Sequence, residues 1–388
     1  MNKYIFCGAL LCCFLPSWGQ SRLDDEIVSD AAEQLQYLVK NTEQLVQDSV
    51  YVSPRTLEKD ELQLVHRGDW TSGFYPGVLW QVFDLTKDEQ WKEWAETATV
   101  RMEGEKNNGR THDMGFKIYS SYGKGYHLTG NSDYRDVIIQ AAQTLSTRFN
   151  PVVGCIRSWD HNADKWQYPV IIDNMLNLEL LFAATKLTGD SLYYRIAVSH
   201  AIKTLENHFR PDGGSYHVVD YDPQTGEVRH RHTHQGYSHG STWARGQAWA
   251  LYGFTMCYRE TGEERFLEKA LAIASWLQEK LPADGIAYWD FDVPAILDEP
   301  RDASAAAVIA SALYELGHLV KAKPALQILA DRIMESLTQD YRNAKGTSSG
   351  FLLAHSTGSK PHHSEVDVPL IYADYYYLEA LLRRNGNF

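Results

Sequence analysis

A short turn motif, repeated along the chain, constrains the fold more than any other feature. Thr129-Gly130 is followed by Tyr134, Ile138 and Ala142, Thr188-Gly189 by Tyr193, Ala197 and Ala201, and Thr261-Gly262 by Phe266, Ala270 and Ala274. Thr86-Lys87, followed by Trp91 and Ala95, is a degraded fourth copy. In each full copy a glycine able to turn left-handed ends one helix, and the aromatic and small residues after it share a face of the next. That describes a helical hairpin. Apolar residues elsewhere keep the helical period and predict twelve helices, over 25–47, 73–85, 88–105, 114–128, 132–148, 174–187, 191–208, 243–260, 264–281, 303–319, 322–340 and 368–384. The hairpins recur at uneven intervals, unlike the fixed period of an open solenoid. An all-α fold, an (α/α)6 toroid barrel of six helical hairpins with long loops around one mouth, fits that pattern better. A β insertion is expected within 214–233, where Tyr216-His217-Val218-Val219 and Glu227-Val228-Arg229 flank a Pro- and Gly-containing turn.

No linker or shift in composition divides residues 20–388, which predicts a single domain. Residues 1–19 read as a secretory signal peptide: Lys3, an apolar run from Tyr4 to Leu15, and a small-x-small site at Ser17-Trp18-Gly19. The apolar run is shorter than the roughly 20 residues that span a bilayer, so no membrane span is expected. The protein is expected to be exported to the periplasm. A lipid-anchored form through Cys12 or Cys13 is the lesser alternative, because neither has a small residue just before it. Cys155 and Cys257 would then remain in the mature chain, and both read as buried apolar thiols. The formal net charge of −13 argues against nucleic acid or an acidic membrane as partner. An acidic small molecule would need a local cluster of Arg, Lys or His. A monomer or weak dimer is expected.

Two aspartates stand out as candidate chemistry: Asp113 in His112-Asp113-Met114-Gly115-Phe116, and Asp173 in Ile171-Ile172-Asp173-Asn174-Met175. Each opens an apolar helical segment. A lone aspartate there can be a simple N-terminal charge, favoured by the helix dipole by about 0.3–1 kcal/mol. Two of them at the mouths of consecutive helical units, in a chain rich in tryptophan, suggest paired carboxylates acting on a sugar. The run Gln235 to Trp249 places Arg245 and Trp249 one turn apart on a helix that starts near Ser241 or Thr242. Trp70, Trp159 and Trp289 fall in predicted loops, where an indole can stack on a sugar ring. His217 follows Gly213-Gly214, whose turn allows close approach to a ligand. The histidines of His230-Arg231-His232-Thr233-His234 and His239 have no Cys or acidic residue at ligand spacing, so no metal and no cofactor is expected. His355-Ser356-Thr357-Gly358-Ser359-Lys360 reads either as an anion nest or as a solvated surface turn. The sequence contains no Gly-x-Ser-x-Gly elbow, phosphate-binding loop or dinucleotide fingerprint.

On the stretches Asp69 to Trp80, His112 to Phe116, Asp173 to Leu178 and Gln235 to Trp249, the chain resembles bacterial unsaturated glucuronyl hydrolases, glycoside hydrolase family 88. The resemblance covers essentially all of the mature chain. It implies an (α/α)6 barrel that releases the 4,5-unsaturated uronic acid from the non-reducing end of lyase-generated glycosaminoglycan oligosaccharides. It also implies hydration of a vinyl ether rather than attack at the anomeric carbon, with Asp173 matching the residue that protonates C4 and helps water add at C5. Asp113 beside it would raise its pKa and orient it. By the same resemblance His217, Gln235, Arg245 and Trp249 are ligands of the unsaturated ring, and Trp70 and Trp159 are stacking surfaces. Ser356, Ser359 and Lys360 lie where some members hold a sulfate on the neighbouring amino sugar, in a compressed version of that pattern. Chondroitin- or hyaluronan-type disaccharides are the first expectation and heparin-type the second. The alternatives are an unsaturated rhamnogalacturonyl hydrolase, a non-catalytic sugar-binding toroid and a sugar epimerase.

Overall fold

The computed structural model describes residues 18–388 except 48, 49 and 322, with side chains from residue 25 on. The expected leader lies outside the described residues except for its last two, with which the first helix begins. The chain runs α1 (Trp18–Leu45), β1 (Tyr51–Glu58), β2 (Glu61–His66), α2 (Phe74–Thr86), α3 (Glu89–Val100), and a π-helix, Gly115–Gly123, continued by α4 (Lys124–Thr129). Next come α5 (Ser132–Ser146), β3 (Phe149–Asn150), β4 (Cys155–Ile156), β5 (Pro169–Ile171), α6 (Asn174–Thr188), α7 (Ser191–Asn207), β6 (Val218–Tyr221) and β7 (Val228–His232). The last part holds α8 (Ala244–Thr261), α9 (Glu264–Lys280), α10 (Ala303–Val320), α11 (Pro324–Asp340), β8 (Ser356–Ser359), β9 (Ser364–Val368) and α12 (Ile371–Arg384). With the π-helix and α4 taken as one, twelve helices are described, where the apolar spacing predicts them.

Burial separates the helices into two rings. α2, the π-helix, α6, α8, α10 and α12 are buried on nearly every face, whereas α3, α5, α7, α9 and α11 bury a single stripe. The first set contact one another in the order α2, π-helix, α6, α8, α10, α12 and back to α2, which closes the inner ring of an (α/α)6 barrel. α10 is long and apolar enough to cross a bilayer, but 78% of it is buried within this ring.

The repeated turn explains how four of the inner helices reverse into outer ones. Gly130, Gly189 and Gly262 sit at φ 67°, 74° and 69°, and Lys87 of the degraded copy takes the same left-handed conformation at φ 56°. The threonine of each copy donates its hydroxyl to the carbonyl four residues back and accepts the N–H two residues on. It thus serves the last turn of one helix and the start of the next. Tyr134, Tyr193, Phe266 and Trp91 are all buried on the outer-ring stripe.

Some elements differ from expectation. The helix expected over 88–105 ends at Val100, and the segment expected from 114 begins as a π-helix. There the Phe116 N–H is taken by Asn177 Oδ1 of α6, and a Cβ on Gly115 would lie 2.6 Å from Asn177 Cα. α6 thus packs directly against the first turn of the π-helix. The hairpins β1–β2 and β8–β9 were not anticipated. The first turns on Lys59 and Asp60, both at positive φ as a type I′ turn requires. The insertion expected within 214–233 is present as β6–β7, with β5 as a third antiparallel strand. Cys155 and Cys257 are buried free thiols.

Candidate active site

The N-termini of the inner helices and the long loops meet at one mouth around a cavity of about 430 Å³. Asp173 lies in its wall through strand register. Ile171 at the end of β5 pairs with Val218 at the start of β6, and the Ile172 N–H bonds the His217 carbonyl at 3.0 Å. Asp173 and His217, far apart in sequence, are thereby side by side.

Asp173 stands at the N-cap of α6, yet its carboxyl caps nothing. Asp88, Asp190 and Asp302 at other helix starts each accept a backbone N–H. Asp173 is only 8% exposed, and its Oδ1 has no hydrogen-bond partner. Burial is the largest influence on this carboxyl and moves its pKa from 3.8 up to about 7. Its own backbone N–H and the Arg245 charge oppose the rise, while the Asp113 charge adds to it. The Trp249 indole N–H also opposes it, although it makes no hydrogen bond of ordinary geometry. The Asp113 charge thus adds to the rise at Asp173, but desolvation does more.

Asp113 lines the same cavity, where its Oδ2 accepts the Thr111 hydroxyl at 2.5 Å and its Oδ1 lies 3.2 Å from His112 Nε2. Burial holds His112 below the usual imidazole range. His217 is more tightly specified. Its Nδ1 accepts the backbone N–H groups of His234 and Gln235 at 3.1 and 3.2 Å, and burial keeps its pKa well below the ordinary value. A neutral ring with Nδ1 as acceptor carries its proton on Nε2, an assignment that follows from those bonds. That Nε2 lies 3.6 Å from Asp173 Oδ1 and has no hydrogen-bond partner.

Other expected site residues divide into those that face the cavity and those engaged elsewhere. Trp70, Trp159, Gln235, Arg245 and Ser359 line it. Trp70 leans on Tyr372, Trp159 stacks with His161 at 4.9 Å between ring centres, and the Gln235 amide donates to the Gly358 carbonyl. Arg245 is largely committed: Nη1 donates to Asp302 at 2.7 Å and to the Thr357 carbonyl at 2.6 Å, and Nη2 donates to the Gly358 carbonyl at 2.6 Å. Only its Nε is without a partner. Trp249 is fully buried and packs against Phe116, with an unpartnered indole N–H.

Four expectations need correction. Trp249, expected as a ligand of the unsaturated ring, is fully buried and does not line the cavity. Ser356 is a fully buried residue of β8, and the stretch read as a nest or a surface turn is mostly strand. Lys360 pairs with Glu299 and lies over the Trp289 ring rather than lining the cavity. Trp289 is 4% exposed and donates its indole N–H to Glu299 at 2.7 Å, so it offers no open platform.

The structure adds residues that sequence reasoning missed. Arg110, His161, Trp243 and His362 also line the cavity, and His234, weighed only as part of a metal-like run, lies among them. His234 packs against His362 and Trp159, and burial, with lesser contributions from His362, His161 and Lys165, lowers its pKa to about 4. Asp302, the anchor of Arg245, left one signal in the sequence, the N-cap pattern Asp302-Ala303-Ser304. A larger cavity of about 610 Å³ opens on other inner-helix residues. Its charges are already matched: Arg259 pairs with Glu179 and Glu315, and Glu379, its pKa lowered to about 2 chiefly by Arg383 against the pull of burial, also meets Lys124. The raised carboxyl of Asp173, with the unpartnered Arg245 Nε and Trp159 indole N–H, is at the smaller cavity, which is therefore the better site for chemistry.

Known proteins with this pattern are numerous. The sequence profile of Glycosyl Hydrolase Family 88 matches residues 42–356. An unsaturated glucuronyl hydrolase of Formosa agariphila is 51% identical over 331 residues, covering 84% of this chain and 82% of that protein. An unsaturated chondroitin disaccharide hydrolase of Streptococcus pneumoniae is 34% identical over 322 residues, 81% of each chain. Among solved structures, an unsaturated glucuronyl hydrolase specific for heparin superposes with a TM-score of 0.89 at 42% identity, covering 94% of this chain and 98% of that one.

Proposed function

The chain belongs to glycoside hydrolase family 88 and is an enzyme of the unsaturated glucuronyl hydrolase type acting on glycosaminoglycan fragments, and we propose that Asp173 is its proton donor and acceptor. The observation that carries this reading is a buried, uncapped carboxyl with a pKa near 7, facing a cavity of sugar size. Near neutrality a large fraction of it holds a proton, as a general acid must. Asp173 protonates C4 of the unsaturated ring, the electron pair coming from the C4=C5 bond. Water adds its oxygen to C5 and returns a proton to the Asp173 carboxylate. The hemiketal opens by breaking the bond from C5 to the ring oxygen, and the hemiacetal so formed at C1 expels the hydroxyl of the next sugar. His217, with its proton on Nε2, is a neutral donor for the substrate's carboxylate or the arriving water.

The committed Lys360 and the buried Ser356 leave Ser359 as the one expected sulfate ligand that faces the cavity. That supports an unsulfated chondroitin- or hyaluronan-type disaccharide as the first substrate. A heparin-type substrate is the second reading, favoured by the similarity to the heparin-specific structure. A panel of unsaturated chondroitin, hyaluronan, heparin and rhamnogalacturonan disaccharides, followed by loss of the ultraviolet absorbance of the conjugated double bond, tests this. Fastest bleaching of the rhamnogalacturonan compound would overturn the substrate class. Bleaching by Asp173→Asn at the wild-type rate would overturn the assigned role.

A further inference from the structure

Arg55 of β1 does not line the cavity, yet it joins two segments that do. Its Nη1 donates to Asp69 Oδ2 at 2.8 Å, and its Nε and Nη2 grip both oxygens of Glu365 at 2.5 and 2.7 Å. Asp69 immediately precedes Trp70, and Glu365 immediately follows Ser364; Trp70 and Ser364 both line the cavity. The other oxygen of Asp69 accepts the N–H and hydroxyl of Thr71, so this carboxylate also shapes the turn that presents Trp70. The guanidinium itself lies 5.9 Å from the Trp70 ring centre.

Glu365 sits in the left-handed region at φ 55°, as do His363 and Asp367 beside it. Such residues persist only where their surroundings hold them. On the facing strand, Gly358 lies so close that a Cβ there would meet Glu365 Oε2 at 2.5 Å, and its carbonyl is held by Arg245 and Gln235. The β8–β9 hairpin is therefore fastened through one strand by Arg245 and through the other by Arg55.

We propose that Arg55 is a positioning residue that sets the width of the substrate cavity by clamping the Trp70 turn to the β8–β9 hairpin. Without its charge, Asp69 and Glu365 face each other as two carboxylates and repel, and the two walls part. A bidentate guanidinium is suited to this task, whereas an ammonium keeps the charge but not the two-point grip. The clamp acts on how well substrate is held, because neither Asp173 nor His217 touches it.

This inference rests on the function proposed above, and the test separates the two. KM and kcat are measured for Arg55→Gln, Arg55→Lys and Arg55→Gln combined with Glu365→Gln, using the disaccharide that the wild type bleaches fastest. Hydrogen exchange is followed in parallel. For Arg55→Gln, KM is expected to rise about tenfold, the loss of one charge-assisted grip, with kcat within about twofold. Arg55→Lys falls between, and the double variant recovers part of the loss because the repulsion is gone. Amides of 67–73 and 359–365 exchange faster together in Arg55→Gln, while those of the inner helices do not. An unchanged KM, faster exchange throughout the barrel, or a double variant no better than Arg55→Gln overturns the clamp. A wild type that bleaches none of the disaccharides overturns the proposed function instead, and the exchange measurement then still decides on the clamp.

Discussion

Replacing Asp173 by Asn should stabilise the fold at alkaline pH while removing the activity. The Asp173 pKa stands about three units above its ordinary value, and at about 1.4 kcal/mol per unit the folded state disfavours the ionised form by about 4 kcal/mol. Below pH 3.8 the carboxyl is protonated whether the chain is folded or unfolded, and nothing is lost. Between that pH and about 7 only the unfolded chain gives up its proton, so stability falls as pH rises; above about 7 the loss is complete. Asp173→Asn cannot ionise. Its denaturation midpoint and that of the wild type should therefore diverge from pH 4 to pH 8, by up to about 4 kcal/mol in favour of the variant. A change in packing would displace the variant's whole curve without altering its slope. Asp374, which burial likewise raises to about 7, is present in both proteins and cancels. The same proton should govern turnover, with wild-type kcat/KM falling about tenfold per pH unit above an apparent pKa near 7. A stability difference that stays constant from pH 4 to pH 8 would refute the argument, even if the variant were inactive.

Gly189→Ala is expected to cost about 1 kcal/mol by thermal unfolding, because φ is 74° and no atom within 4 Å adds a clash to the conformational penalty. Lys87→Gly, at φ 56°, should by the same reasoning gain up to about 1 kcal/mol. Gly115→Ala forces a methyl against Asn177 Cα, shifting the π-helix that follows Asp113; kcat should drop about tenfold or more, with a loss of about 1–3 kcal/mol in stability. His217→Ala removes the Nε2 proton and leaves the His234 and Gln235 N–H groups without their acceptor, so steady-state kinetics should show kcat reduced about ten- to a hundredfold.

What was legible in the sequence is what short-range chemistry decides. Thr188-Gly189 declares a helix end and Asp190 the next helix start, and the structure builds both from bonds between Ala184 and Leu192. The β1–β2 turn at Lys59-Asp60 escaped that reading, because neither position holds the glycine that marks a two-residue hairpin. The site was legible only as a set of residue types. That Asp173 and His217 meet depends on the pairing of β5 with β6, and that Arg245 is committed depends on Asp302 and on two carbonyls more than a hundred residues on. Lys360 looked free because Glu299, its partner, belongs to a different loop. The contact of Asn177 with the start of the π-helix was invisible for the same reason, since it joins residues of adjacent helices.

Asp173 also shows why an aspartate at a helix start could not be assigned from position alone. A helix N-terminus favours the carboxylate by about 0.3–1 kcal/mol, and a capping bond to backbone N–H adds to that preference. At Asp88, Asp190 and Asp302 the capping bond is made. At Asp173 the capping bond is withheld and the group is taken out of water, and the resulting penalty of about 4 kcal/mol exceeds what the dipole can return. The dipole then has a different effect. In the proposed mechanism it lies at the end of α6 where Asp173 would become a carboxylate after giving up its proton, and it would lower the energy of that transient charge without preventing the group from starting protonated. A proton donor that must also serve as the base for an incoming water needs both states within reach at one pH, and a buried aspartate without a cap at a helix N-terminus provides them.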